Sequence, residues 1–142
     1  MEGVLLTPLR QIYHPKGDVF HGMKASDPGY SGFGEAYFST VHKGDIKPWK
    51  KHLRMTLNLV VPMGCIRFVL HDTREASATF GQTQVVEIGP ANYQRLTVPP
   101  GVWMAFEGLS EGLNLLLNVA NLEHDPLEVE RVDLETFDYP TE

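Results

Sequence analysis

Lys47-Pro48-Trp49-Lys50-Lys51-His52, a basic and aromatic cluster, leads through Leu53-Arg54 into Met55-Thr56-Leu57-Asn58-Leu59-Val60-Val61. Pro62-Met63-Gly64 follows, and then Cys65-Ile66-Arg67-Phe68-Val69-Leu70 and His71-Asp72-Thr73-Arg74. Met55, Leu57, Leu59 and Val61 share one face of an extended chain, with Thr56, Asn58 and Val60 on the other; Ile66, Phe68 and Leu70 alternate likewise with Arg67, Val69 and His71. A period of two is the pattern of a half-buried strand. A three-residue connection containing Gly predicts that the two strands form a hairpin. The basic cluster is then expected at the mouth of a sheet, where small-molecule sites of β-barrels are built.

Outward from this stretch the punctuation stays regular. Glu35 to His42 alternates strictly, and Lys43-Gly44-Asp45 is a turn. Strands are predicted over Gln84 to Ile88, Tyr93 to Val98, Val102 to Glu107 and Leu113 to Val119, with Pro99-Pro100-Gly101 as a sharp corner. Glu75 to Gly81 reads as a loop. No helix is expected before Asn121. Short strands at roughly ten-residue spacing, separated by Gly and Pro turns, predict an all-β sandwich or jelly-roll barrel.

Three segments divide a single domain. Residues 1–34 form an arm and a Gly-rich stretch, in which Gly17, Gly22, Gly29, Gly32 and Gly34 with Pro15 and Pro28 forbid a helix or long strand. Residues 35–120 form the barrel. Residues 121–142 turn acidic, with Val129, Val132, Leu134 and Phe137 interspersed, and fit either a strand or short helix packed on the barrel or a solvated tail.

The chain has 142 residues, 42% hydrophobic and 21% charged, the composition of one globular domain. A formal charge of -6 argues against a nucleic-acid partner, yet Lys47, Lys50, Lys51 and Arg54 make a basic island suited to a small anion such as a nucleotide-linked substrate. Cys65 is alone, which excludes a disulfide framework, and its place in an apolar strand predicts a small core residue. Met1 to Leu6 lacks the basic start of a signal peptide, and no apolar run reaches the ~18 residues of a spanning helix. A cytoplasmic protein without a membrane partner is the expectation.

Three motifs occur in order: Lys47-Pro48-Trp49-Lys50-Lys51-His52; Asp72-Thr73-Arg74-Glu75-Ala76-Ser77-Ala78-Thr79-Phe80-Gly81; and Pro99-Pro100-Gly101-Val102-Trp103. Together they resemble the dTDP-4-dehydrorhamnose 3,5-epimerase family and the related dTDP-sugar ketoisomerase-like cupins, over roughly Glu35 to Pro126. The resemblance implies a cupin jelly roll and a homodimer that exchanges N-terminal strands. It also implies catalysis without metal or organic cofactor on a nucleotide-linked 4-keto sugar, by proton abstraction next to the ketone, in surface-polysaccharide synthesis. By register the family's base histidine falls on Lys50, and a second histidine survives as His52. Met104 stands where the family commonly has a later histidine. The family's tyrosine acid has no counterpart in Leu113 to Val119.

The candidate catalytic residues are therefore His52, whose imidazole suits acid–base work near neutrality, and Lys50. An amine ordinarily protonated at pH 7 needs burial or cationic neighbours to act as a base, and otherwise contacts phosphate. Lys47, Trp49, Arg74, Tyr37 and Trp103 are candidate substrate-binding residues. The aromatic three fit either stacking surfaces or barrel core, and Arg74 fits either a phosphate contact or a structural pair with Asp72. The metal-dependent alternative common to cupins needs several ligands converging from separate strands; His42 and His71 are the residues available to join His52. A cupin that binds a sugar or other small ligand without turnover is the remaining alternative.

Overall fold

The alternating stretches do become strands, but they do not pair with each other. In the computed structural model, which describes residues 1–140, the first is β6 (Leu57–Met63) and the second β7 (Ile66–Asp72). They lie in different sheets. The predicted hairpin is instead a corner at which the chain crosses the barrel. Gly64, at φ +81°, turns it, and a Cβ there would run into Asn114 and the Leu113 carbonyl. Asn114 fixes the corner by accepting from Cys65 N (2.9 Å) and donating to the Val41 and Ser110 carbonyls. Cys65 accordingly sits half-buried in this corner and not within a strand.

The first sheet has the order β1 (Leu5–Pro8), β9 (Gln94–Val98), β6, β11 (Leu115–Ala120), β4 (Glu35–Thr40). The second runs β12 (Val129–Arg131), β5 (Ile46–His52), β10 (Val102–Gly108), β7, β8 (Thr83–Ile88). The pairings within both sheets are antiparallel. A small hairpin, β2 (Gln11–Ile12) with β3 (Val19–Phe20), projects from the arm. Two single 3₁₀ turns, Pro126–Glu128 and Leu134–Thr136, flank β12. This is the all-β jelly roll of a cupin. Both flanks beyond residues 35–120 add a strand to it, β1 from the arm and β12 from the acidic segment.

Between the sheets Leu59, Val61, Ile66, Phe68, Leu70, Ile88 and Leu96 are fully buried, each such side chain being worth about 1.5–3 kcal/mol. β6 is buried on its other face as well, because residues 21–30 of the Gly-rich stretch cover it. Asn58 donates to the Gly29 carbonyl (3.0 Å) and accepts from Thr97 Oγ1 (2.6 Å). Gly29, at φ +86°, approaches so closely that a Cβ would lie 2.5 Å from Thr97 Oγ1. Arg95, fully buried, donates to the carbonyls of Gly22 (3.0 Å) and Pro28 (2.9 Å) and pairs with Asp27 (3.3 Å).

Residues 47–52, expected as a cluster at the sheet's mouth, are themselves strand. β5 pairs with β10 on one side and β12 on the other, and it carries a bulge: Lys50 opposes Met104 and Lys47 opposes Phe106, three steps against two. Pro48, which has no N–H to give a ladder, falls in that bulge. The bulge returns Lys47 to the face shared by Lys50 and His52, while Trp49 and Lys51 point to the other face.

Candidate functional site

The inner faces of the two sheets enclose a cavity of about 190 Å³. Its lining is graded. Met55, Leu57, Leu59, Val98, Val102, Met104 and Leu116 form a buried apolar floor, and the exposed Tyr37, Lys47, Lys50, His124 and Arg131 form the rim. The charged side chains on this wall are all cations, in a chain whose net charge is -6. Lys24, Lys43 and Lys51 each pair with a carboxylate, whereas Lys47, Lys50 and Arg131 have no carboxylate within ion-pair distance among the described residues. Lys47 instead lies over the Phe106 ring, 5.7 Å from its centre.

His52 sits at the end of β5, half-buried against β12. Its Nδ1 is hydrogen-bonded to Oε1 of Glu128. Glu128, only 3% exposed, accepts through Oε2 from the Arg54 and Met55 amides, both at 3.2 Å. Burial works to raise this carboxyl, but the bonds from His52, Arg54 and Met55 outweigh it and hold Glu128 below the ordinary glutamate range. A carboxylate only accepts, so Nδ1 carries a proton, and in the neutral imidazole Nε2 is then the nitrogen with the lone pair. Nε2 has no protein hydrogen-bond partner among the described residues, and His52 lines the cavity.

Lys50 is held below the ordinary lysine range by desolvation first, and then by the positive charges of Arg131 and Lys47. Tyr37 on β4 reaches the cavity from the opposite sheet, and its hydroxyl accepts from Asn118 Nδ2 at 2.8 Å. Burial pushes the phenol up, Asn118 partly offsetting it. The cavity thus offers an imidazole backed by a buried carboxylate, a primary amine and a phenol around one apolar hollow.

Of the residues singled out from sequence, His52, Lys50, Lys47 and Tyr37 line this cavity; Trp49, Trp103 and Arg74 do not. Trp49 and Trp103 point to the outer face of the second sheet, because the alternation of β5 and β10 opposes them to Lys50 and Met104. There they pack with Val132, Leu134, Phe137 and Tyr139 of the C-terminal segment, and Trp49 Nε1 donates to the Leu134 carbonyl at 3.0 Å. Arg74 is engaged with Asp72 through Nε and Nη2 (both 2.9 Å) and with the Glu2 carbonyl (2.6 Å). Arg74 thus makes the structural pair with Asp72. His42 pairs with Asp45, and His71 lies against Phe137 and Thr83, so neither joins His52.

Sequence reasoning missed Glu128, Arg131, His124 and Asn118. A carboxylate in an acidic segment looks like every other one there. The local signal was Asp125-Pro126, where Asp125 caps a turn that begins with Pro126. That turn aims Glu128 inward and starts β12, which carries Arg131.

No protein-family model matches the chain. Over 84 residues it is 31% identical to a probable low-salt glycan biosynthesis epimerase of Haloferax volcanii, covering 58% of this chain and 54% of that protein. Over 94 residues it is 31% identical to a spore coat polysaccharide biosynthesis protein of Bacillus subtilis, covering 66% and 62%. The match thus spans less than two thirds of either curated relative. Among solved structures, a dTDP sugar isomerase from Desulfovibrio desulfuricans G20 superposes with a TM-score of 0.92 at 40% identity, over 95% of this chain and 87% of that one.

Proposed function

The chain belongs to the family of dTDP-sugar isomerases and epimerases with the cupin fold, and from that premise we propose that it epimerises or isomerises a nucleotide-linked 4-keto-6-deoxy sugar in polysaccharide synthesis. The reaction is proton transfer at the carbon next to the ketone. The observation that carries this reading is the His52–Glu128 pair on the wall of a cavity whose charged lining is wholly cationic.

Each step finds a group of suitable chemistry. Lys47 and Arg131 at the rim suit the diphosphate, since guanidinium and ammonium donate charge-assisted hydrogen bonds to its oxygens. The apolar floor suits the deoxygenated part of the sugar. His52 takes the proton through Nε2, and Glu128 stabilises the imidazolium that results. Lys50 is the amine placed to act at the carbonyl group of the sugar. Tyr37, on the opposite sheet and with its hydroxyl accepting from Asn118, has its own proton free to deliver from the other side.

The proposal includes a cytoplasmic homodimer working without a metal. Its support for the dimer is the apolar surface that Tyr13, Val19, Phe33 and Phe38 expose, Phe38 to 66%. A second reading, saturable binding without turnover, draws on Met104 and Lys50 standing where the family has histidines. One experiment separates them. In deuterated water with a dTDP-4-keto-6-deoxy sugar, the enzyme incorporates deuterium beside the ketone; dTDP binding without incorporation establishes the non-catalytic reading.

A further inference from the structure

We propose that Lys50 is a covalent catalyst, forming an iminium with the ketone of the sugar so that the neighbouring carbon is deprotonated as an enamine precursor. The inference deepens the function proposed above and rests on it, since it needs a keto substrate in the cavity.

Four observations converge on this amine. Lys50 lines the cavity and has no carboxylate partner among the described residues, whereas Lys24, Lys43 and Lys51 all have one. Lys47, the other lysine on the wall, is occupied over Phe106. Arg131 is the direct strand neighbour of Lys50, and Lys47 returns to the same face through the bulge. Two fixed cations and partial desolvation are the conditions under which a lysine gives up its proton and becomes a nucleophile. Finally, His52 stands two residues along the same face, about 7 Å by strand rise, lines the same cavity, and has no protein partner on Nε2 among the described residues.

The chemistry closes with these groups and water. The Lys50 Nζ lone pair attacks the carbonyl carbon, a C–N bond forms, and a proton passes from that nitrogen to the oxygen to give a carbinolamine. The hydroxyl takes a second proton from the Tyr37 phenol, which regains it when the iminium is hydrolysed, and leaves as water while nitrogen forms the C=N bond. The positive nitrogen draws the electron pair of the adjacent C–H bond into a new C=C as His52 Nε2 receives the proton. Reprotonation of that carbon restores the iminium, and water returns to release the ketone and the free amine. Before the sugar enters, Arg131 and Lys47 disfavour the protonated amine; during the reaction Glu128 supports the imidazolium.

The test traps the iminium. The whole protein is incubated at neutral pH with a dTDP-4-keto-6-deoxy sugar and sodium cyanoborohydride, which reduces iminium ions in preference to ketones. Intact mass and peptide mapping are read beside deuterium incorporation without the reductant. The expected result is one stoichiometric adduct on the Lys50 peptide, loss of activity with trapping, and neither adduct nor exchange in Lys50→Arg, which keeps the charge but cannot form the bond. Deuterium exchange without an adduct, exchange retained in Lys50→Arg, or an adduct on Lys47 or on surface lysines overturns the inference and leaves the proposed function standing. Absence of both exchange and adduct from wild-type protein that binds dTDP removes the proposed function, and this inference with it.

Discussion

Glu128 and His52 are hydrogen-bonded across 76 residues of sequence, because the last strand of the barrel is laid beside the one that carries the imidazole. The pair places a proton on Nδ1 of His52 and leaves Nε2 without a protein partner among the described residues. Replacing His52 with Gln removes the proposed proton carrier and is expected to lower deuterium exchange by about 10²–10⁴-fold. Glu128→Gln keeps the shape but loses the counter-charge. Exchange then falls by about tenfold or more while dTDP affinity stays within about threefold, since the side chain is buried behind His52. Equal losses in affinity and rate would assign Glu128 to folding alone, and circular dichroism melts of both variants check this.

The rim cations that have no carboxylate partner among the described residues make a salt-dependent prediction. Lys47→Ala and Arg131→Ala each remove a donor proposed for the diphosphate, worth about 1.5–3 kcal/mol where the hydrogen bond is charged, or roughly 10–100-fold in Kd. Calorimetric titration with dTDP at rising ionic strength should show wild-type affinity falling and both variants responding less. Lys51→Ala, whose side chain is paired with Glu130 over the outer face, should leave dTDP binding unchanged.

Arg95 holds the Gly-rich stretch to the first sheet. Arg95→Leu fills much of the same space but leaves the Gly22 and Pro28 carbonyls without their donor. Amide hydrogen exchange over residues 21–30 is expected to accelerate by about tenfold or more, with the amides of β7 and β10 unaffected, because local opening depends on the bonds that tie a segment down. Uniform acceleration across the barrel would mean that Arg95 supports global stability instead.

Why some of this was legible and some was not follows from what alternation encodes. Leu57, Leu59, Ile66 and Phe68 announced strands and their faces, because burial of one side of a pleat writes a period of two into the sequence. The same pattern says nothing about the partner strand, and so the turn at Gly64 passed for a hairpin although it joins two sheets. The bulge at Pro48 shifts the phase of β5 by one residue, bringing Lys47 into the cavity with Lys50 and leaving Trp49 on the outside. A motif quoted as one cluster thus divides between two faces. Glu128 and Arg131 were hidden for a different reason: their roles come from β12 pairing with β5, a contact between segments far apart in the chain.

The Asp72 carboxylate is fully buried and ties the Asp72–Gly81 loop together. It accepts from Arg74 at 2.9 Å and from the hydroxyls of Ser77 and Thr79, both at 2.6 Å. The Arg74 hydrogen bonds, helped by those hydroxyls and opposed by burial, hold its acidity far below the ordinary aspartate range. A carboxyl whose folded pKa is depressed stabilises the fold fully above its unfolded value, near 4, and loses that contribution as pH falls toward the folded one. Asp72→Asn should therefore cost about 3 kcal/mol at pH 7, by leaving Arg74 without its counter-charge. In urea melts the gap between wild type and variant should stay constant above about pH 5 and close steadily below it. A gap that persists unchanged at pH 2–3 would assign the cost to lost packing and hydrogen-bond geometry, because in that range the unfolded chain binds a proton at residue 72 that the folded, still ionised Asp72 does not.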